Sequence, residues 1–480
     1  MQTLETYFGA FRANIIGQDV WYKTPFGRKR LLYADWTASG RAYRPIEMEL
    51  LEGVLPFWGN THTETSVVGT RMSAAYEGAK QIVRQHVGAG EEDVVLFTGS
   101  GMTSAVNKLQ RMMGLRGRVR EEARPVVLVT HMEHHSNQIS WLETNATVEV
   151  VPPGEDGGVD VDHFRETLGR YRGRSMKIAA VTACSNVTGI ETPYLEIARL
   201  MHEFGGLCFV DFACSAPYVE MDMHARGADL DGIYFSGHKF LGGPGTPGVL
   251  IFKRKLCVSG VPDQPGGGTL LYSNPWGGRE YVDETEARED SGTPPILQGI
   301  KAGLCIRLKE EMGVGPMRER EAEMVGRLMG RLTSTTGVEV LAADQRARLG
   351  VISFIVEGMH YDSVVRLLSD RFGIQARGGC SCAGTYGHHL LRIDRVRSEA
   401  IREALLRGEM ESKPGWVRLS LHPTMTDDEI DYIADAVEEV AALDPGERFA
   451  ALDPGDLEWV KSDAPVVHGR PPVTCPVPRI

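Results

Sequence analysis

Six short runs of apolar residues, none of them alternating with polar ones, constrain this 480-residue chain more than any other feature. They are Asp93–Phe97, Pro125–Thr130, Ile178–Thr182, Leu207–Asp211, Gly232–Ser236 and Gly248–Phe252. A strand with one wet face alternates; a strand covered on both faces has no need to. Between the runs lie stretches of helical periodicity at Ala74–His86, Met102–Met113 and Leu195–Phe204. Another opens at Asp160 with an acidic first turn, which suits a helix N-terminus. Strand and helix in turn imply the α/β class: a buried, mostly parallel sheet clothed in helices.

The texture changes near residue 310. A charged helix over Met317–Leu332 precedes strands at Val338–Leu341 and Leu349–Val356. Helix is expected at Tyr361–Phe372, strand at Val417–Leu421 and helix at Asp427–Leu443. We therefore read an N-terminal segment (1–30), a large domain (31–310), a smaller α+β domain (311–445) and a Pro-rich arm (446–480). Within that tail Ala442-Leu-Asp-Pro-Gly446 recurs as Ala451-Leu-Asp-Pro-Gly455, too few copies for a solenoid.

Charge narrows the partners. Lys and Arg number 52 against 64 Asp and Glu, a net −12. An acidic surface argues against wrapping nucleic acid or lying on an anionic membrane. No apolar stretch reaches the ~18 residues of a membrane span. Met1–Tyr22 lacks the apolar core of a signal peptide. The 8 cysteines are scattered, several inside apolar runs, as in a reduced cytoplasmic protein. The 55 glycines are in excess, and their clusters mark places where backbone approaches something closely.

Several clusters carry chemistry. Gly243-Pro-Gly-Thr-Pro-Gly248 fits G-x-G-x-x-G, but it precedes a strand and holds two prolines, so it reads as a tight loop and not a dinucleotide site. Thr98-Gly-Ser-Gly-Met-Thr-Ser104 follows a strand and opens a helix. Small residues there leave N–H groups and hydroxyls facing an anion such as phosphate; the bland reading is a capped turn. Ser236-Gly-His-Lys239 ends one apolar run, and Asp211 ends another 28 residues earlier. A desolvated lysine forms Schiff bases, and an acid can pair with a pyridinium nitrogen. Both stand at strand C-terminal ends, where open sheets bind ligands. His131-Met-Glu-His-His135 invites a metal, yet no second ligand cluster has zinc-like spacing; imidazole also stacks on flat rings. Arg377-Gly-Gly-Cys-Ser-Cys382 is not Cys-x-x-Cys; a loop thiol beside Arg377 suits a nucleophile, and inert thiols are the alternative.

Taken together these segments resemble the class V aminotransferase superfamily, in particular its cysteine desulfurase and selenocysteine lyase branch. The resemblance runs from about residue 30 to about 440. Its order is Thr98-Gly-Ser-Gly, Glu133-His-His, Ser185-Asn-Val-Thr-Gly189, Asp211-x-Ala, Ser236-Gly-His-Lys239, Gly292-Thr-Pro294, Arg377-Gly-Gly-x-x-Cys382 and Arg418. It implies the fold type I architecture of pyridoxal-phosphate transferases: a large domain with a seven-stranded mostly parallel sheet, plus a smaller α+β C-terminal domain carrying the cysteine loop. It also implies a homodimer, pyridoxal 5′-phosphate as cofactor, a cysteine-like substrate and a sulfur-acceptor protein.

Roles carry over position by position as implications of that resemblance. Lys239 would bear the cofactor Schiff base and move the substrate proton. Asp211 would hold the pyridine nitrogen protonated, with His134 stacked on one ring face and Ala213 on the other. Asn186 would lie near the ring oxygen. Gly101, Met102, Thr103, Ser236 and His238 would hold the phosphate, and Thr293 matches the segment that reaches a neighbouring subunit's phosphate. Arg418 would grip the substrate carboxylate, with Ala38, His62, Asn186 and Arg377 on the substrate side. Cys382 falls where desulfurases carry the sulfur-accepting thiol.

Two departures bear on the reaction. Cys214 stands where the family commonly has Gln, and a thiol is a poor substitute for an amide donor. Cys380 stands two residues before Cys382, where related sequences often have His. The leading reading is conversion of L-cysteine to L-alanine with a persulfide on Cys382. Other class V reactions (selenocysteine or C–S lyase, epimerase, aminotransferase) are the second, and a non-catalytic sulfur carrier or scaffold is the third.

Overall fold

A computed structural model describes residues 3–63, 65–117, 119–225, 227–345 and 347–443, with the backbone of 459–460. The repeated Leu-Asp-Pro-Gly and the Pro-rich arm lie outside the described residues, save Ala442 and Leu443. The chain divides into two units. The larger comprises Gly40–Ala183 and Thr192–Glu311; the smaller takes the N-terminal residues to Ser39, Cys184–Glu191, and Met312 to Leu443.

The larger unit is built on seven strands: β1 (Asp93–Thr98), β2 (Val126–Thr130), β3 (Thr147–Val151), β4 (Lys177–Thr182), β5 (Leu207–Asp211), β6 (Gly232–Ser236) and β7 (Gly248–Lys253). Their order is β1-β7-β6-β5-β4-β2-β3. The β6–β5, β5–β4, β4–β2 and β2–β3 pairs are parallel, and β7 runs antiparallel to both neighbours. The seven-stranded, mostly parallel sheet is thus present. β2, β4 and β6 are buried at every residue, which accounts for their unbroken apolar sequences.

β3 escaped the sequence reading. As Thr-Val-Glu-Val-Val at the sheet edge it is mostly half-exposed, so it lacks the continuous apolar signal. One core face of the sheet gathers Val94, Val127, Val129, Ile178, Phe209, Tyr234 and Leu250. Met102, Ala105, Val106, Leu109 and Met112 meet that face from the helix Met102–Met112, at the i, i+3, i+4, i+7 spacing of an apolar stripe. Trp141 stacks nearly parallel on Phe209 at 6.1 Å between centroids. The helix expected from Ala74 begins earlier, at Val67, where Ser66 accepts the Gly69 N–H. The polar pair Thr70-Arg71 and Gly69 hide that first turn from periodicity.

The smaller unit has an antiparallel sheet of β8 (Val338–Val340), β9 (Val351–Val356), β10 (Arg377–Gly379) and β11 (Trp416–Ser420), ordered β8-β9-β11-β10. The helices Val314–Leu332, Tyr361–Phe372 and Asp427–Ala441 belong to this unit. The last opens with a full capping box between Thr426 and Glu429. Tyr361–Phe372 ends on Gly373 at φ +80°, where a Cβ would lie 2.1 Å from the Arg30 carbonyl oxygen. Only glycine fits there, and the chain then turns so that Ile374–Gln375 pairs in parallel with Leu32–Tyr33. That pairing brings the N-terminal segment alongside β11, with an Asp35–Ser420 bridge. No helix among the described residues is long and apolar enough to cross a membrane.

Candidate active site

The parallel strands of the larger unit deliver their C-terminal ends to one edge of the sheet, where loops of open α/β folds bind ligands. Asp211 is the last residue of β5 and is 3% exposed. Its Oδ1 accepts the Ala213 N–H at 2.8 Å. Burial pushes its carboxyl up to about 6, while the Ala213 N–H and the Lys239 charge pull back. Lys239 closes the short turn Gly237–Lys239 after β6 and is therefore within electrostatic reach of Asp211. Burial, aided by the Lys239 charge, holds the His238 imidazolium down to about 4, so this ring is neutral at pH 7.

Ser236 ends β6, and its Oγ accepts the Met102 N–H at 2.9 Å. Gly101 precedes the helix Met102–Met112 and provides no side-chain cap. A Cβ there would lie 3.1 Å from Ser236 Oγ and 3.6 Å from His238 Nε2. Gly101, Ser236 and His238 thus share one small space at a helix N-terminus where the N-cap residue itself offers no side chain and Ser236 takes the first N–H. Thr103 Oγ1 lies 2.7 Å from Ser136 Oγ, at the start of the helix His135–Leu142. His134 caps that helix; its Nδ1 accepts the Ser136 N–H at 3.1 Å, which fixes the ring. Ala213 and Cys214 are both buried beside Asp211.

Glu133, read in the sequence only as part of Glu-His-His, is a hub of this edge. It is fully buried, and its oxygens accept from Thr130 Oγ1 (2.6 Å), Asn137 Nδ2 (2.7 Å) and the Thr182 N–H (2.9 Å). Burial raises its carboxyl to about 7, with the Asp211 charge adding to the push. Glu133 therefore ties the ends of β2 and β4 to the helix that His134 caps. A second cluster in the same unit joins Asn60 Nδ2 to Thr293 Oγ1 at 3.3 Å. There the His62 ring covers Gly268, whose Cβ would come within 3.0 Å of it.

The smaller unit gathers a different set. Arg377 on β10 and Arg418 on β11 are cross-strand partners, two like charges face to face. Asp35 answers both: Oδ1 accepts from Arg418 Nη2 at 2.8 Å, and Oδ2 from Arg377 Nε at 3.0 Å. Asp35 was not singled out in the sequence. Arg418 is 3% exposed, its Nη1 donates to the Asn186 carbonyl at 3.1 Å, and its Nε has no hydrogen-bond partner. One positive charge in excess and an unused N–H face therefore remain for a carboxylate.

Asn186 sits in the loop Cys184–Glu191, which Gly189 shapes at φ +73°, pressed against the Leu349 backbone. Asn186 Nδ2 donates to the Ser381 carbonyl at 2.7 Å, while its buried Oδ1 lacks a partner. Ser381 and Cys382 follow β10, and Cys382 is exposed. Ala38 lies at the turn closed by its N–H on the Asp35 carbonyl. The structure thus brings Asp211, Lys239, His238, Ser236 and Gly101 together in one unit, and Asn186, Arg377, Arg418 and the cysteine loop together in the other.

The sequence model for class V aminotransferases matches residues 32–433. A probable cysteine desulfurase from Halalkalibacterium halodurans is 30% identical over 361 residues, 74% of this chain and 84% of that protein. Another from Staphylococcus epidermidis is 30% identical over 363 residues, with the same coverage. Among solved structures, a cysteine desulfurase from Thermococcus onnurineus superposes with a TM-score of 0.71 at 24% identity, covering 86% of this chain and 94% of that one. A cysteine desulfurase from Escherichia coli gives 0.68 at 22% identity, covering 85% and 94%. The chain belongs to the class V aminotransferase family and is a cysteine desulfurase-like, pyridoxal-phosphate-dependent enzyme of fold type I.

Proposed function

We propose that this enzyme removes sulfur from L-cysteine, leaving L-alanine, and receives that sulfur as a persulfide on Cys382. The observation that carries the reading is the hydrogen-bonded chain Arg418–Asn186–Ser381, which joins a buried guanidinium with an unpartnered Nε to the loop of an exposed thiol. An aminotransferase needs the arginine and has no use for the thiol.

The donor set fits pyridoxal phosphate. A pyridine nitrogen calls for a buried anion, which Asp211 is. An aldehyde calls for an amine near that acid, which Lys239 provides. A phosphate calls for N–H and hydroxyl donors, and Gly101, Met102, Thr103, Ser236 and neutral His238 gather such donors at a helix N-terminus whose N-cap residue has no side chain. The orphaned Asn186 Oδ1 is left to accept a hydrogen bond from a substrate. When bound, the cofactor supplies an electron sink that acidifies the substrate Cα.

The chain's own residues do the rest. Arg418 holds the substrate carboxylate through its Nε face, and Asp35 keeps the guanidinium plane in place. Lys239 Nζ removes the Cα proton and returns it to the carbon skeleton. Asp211 would keep a proton on the pyridine nitrogen, and the His134 ring, pinned by the Ser136 N–H, would be the flat group set against the cofactor ring. The Cys382 thiolate attacks the substrate sulfur; the Cβ–S bond breaks, its electron pair stays with carbon, and an S–S bond forms. The reading extends to a cytoplasmic homodimer in which Thr293 serves the neighbouring subunit's phosphate, with a protein or small thiol as sulfur acceptor.

Alanine and sulfide released from cysteine in the presence of a dithiol test the proposal. Cys382→Ala should lose both, and full activity in that variant would sink the persulfide role. The buried Cys214 beside Asp211, where an amide is usual, supports a second reading as another class V reaction. Bleaching of the Schiff-base absorbance to the pyridoxamine form with a given amino acid would favour an aminotransferase over a lyase.

A further inference from the structure

The loop after β10 carries two free thiols, Cys382 exposed and Cys380 half-buried. Between them the backbone makes a tight turn. The Ala383 N–H donates to the Cys380 carbonyl at 3.0 Å, and Ser381 and Cys382 both adopt left-handed φ values, 50° and 55°. Each such residue other than glycine costs roughly 1–2 kcal/mol, so the turn persists only because its surroundings hold it. The Asn186 amide does so through the Ser381 carbonyl. The Tyr361 ring does so by covering Gly378, where a Cβ would lie 2.9 Å away.

The geometry matters for the sulfurs. Two Cα–Cα links of ~3.8 Å folded at a left-handed residue span roughly 5.5 Å. A disulfide closes at Cα separations of about 4.4–6.8 Å. An extended Cys-x-Cys segment would span roughly 6.4–7.2 Å, at or past the upper edge of that window, so the strained turn draws the two thiols toward its centre.

We propose that Cys380 is a resolving thiol for the sulfur held on Cys382, an inference that rests on the persulfide reading above. The Cys380 thiolate attacks Cys382 Sγ, the bond from Sγ to the outer sulfur breaks, and its electron pair leaves with that sulfur. Cys380–SH and Cys382–S–SH become a Cys380–Cys382 disulfide and hydrogen sulfide. The Cys380 sulfur is oxidised and the outer sulfur reduced, so no external oxidant enters. A dithiol reductant then exchanges with the disulfide, is itself oxidised to a disulfide, and restores both thiols. Attack on the inner sulfur is preferred to relay of the outer one because hydrosulfide is a more acidic leaving group than an ordinary cysteine thiolate.

The test uses full-length enzyme loaded with cofactor, given one equivalent of L-cysteine without reductant, quenched with an alkylating agent and weighed intact. Wild type should release one equivalent of sulfide and lose two hydrogens, with the disulfide mapped to Cys380–Cys382. Cys380→Ser should instead gain one sulfur on Cys382 and withhold sulfide until a dithiol is added. The wild-type measurement stands by itself should the variant fold poorly. Wild type that keeps the extra sulfur as stably as Cys380→Ser, or carries it on Cys380, overturns the proposal. If wild type and Cys382→Ala release sulfide alike without either bond forming, the persulfide reading fails and this inference falls with it.

Discussion

Asp211→Asn should make the protein more stable while destroying its activity. Burial pushes the Asp211 carboxyl from its ordinary 3.8 up to about 6. At ~1.4 kcal/mol per tenfold change in proton affinity, an ionised Asp211 costs the cofactor-free protein about 3 kcal/mol relative to its unfolded chain. The sign follows from proton counts. Between roughly pH 4 and 6 the folded protein holds a proton that the unfolded chain has released, so stability falls as pH rises through that window and then levels off. The amide variant keeps an oxygen for the Ala213 N–H and has no charge to desolvate, so it lacks that slope. Urea unfolding of both proteins, stripped of cofactor, should show a stability difference near zero at pH 4 that grows to about 3 kcal/mol by pH 7. Glu133, raised to about 7 partly by the Asp211 charge, should titrate lower in the variant. Parallel pH profiles, or a variant less stable throughout, would refute the argument that burial holds this acid ionised at a cost.

Other outcomes follow from single residues. Lys239→Ala should abolish the Schiff-base absorbance band without a change in the far-ultraviolet circular dichroism. Asp35→Ala leaves the buried Arg418 without its carboxylate and should cost about 3 kcal/mol in urea denaturation, with a raised KM for cysteine as the guanidinium plane loosens. Ser381→Gly relieves one left-handed residue and should gain up to about 1 kcal/mol. Gly373→Ala drives a Cβ into the Arg30 carbonyl and should lose more than ~1 kcal/mol, read as a lowered Tm.

What was legible in the sequence was whatever leaves a local trace. Six strands of the large sheet announced themselves because burial on both faces removes polar residues from short runs. β3 did not, since an edge strand that is half-exposed along most of its length, with a Glu in its middle, looks like loop. The reversed direction of β7 was equally silent, because strand polarity has no signature in composition. Lys239 and Asp211 were visible because each ends an apolar run. Asp35 was not: its meaning lies in two arginines more than 300 positions away, and no motif spans that distance. Glu133 was seen only as a letter in a motif, for its bond to the Thr182 N–H at the end of β4, 49 positions away, has no trace in the local sequence.

The smaller unit is not a continuous piece of chain; it is assembled from three. Asp35 and Arg377 are 342 positions apart, and the Leu32–Tyr33 strand has no partner until Ile374–Gln375 exists. During synthesis the first forty residues therefore emerge long before their sheet does, and the large sheet through β7 is complete while they wait. Loop closure over such a span is slow and leaves an open strand edge exposed in the meantime. Assembly of the cysteine-bearing unit is thus expected to be the late and aggregation-sensitive stage of biogenesis. A chain that stops before Gly373 would keep all seven strands of the large sheet yet strand its own beginning.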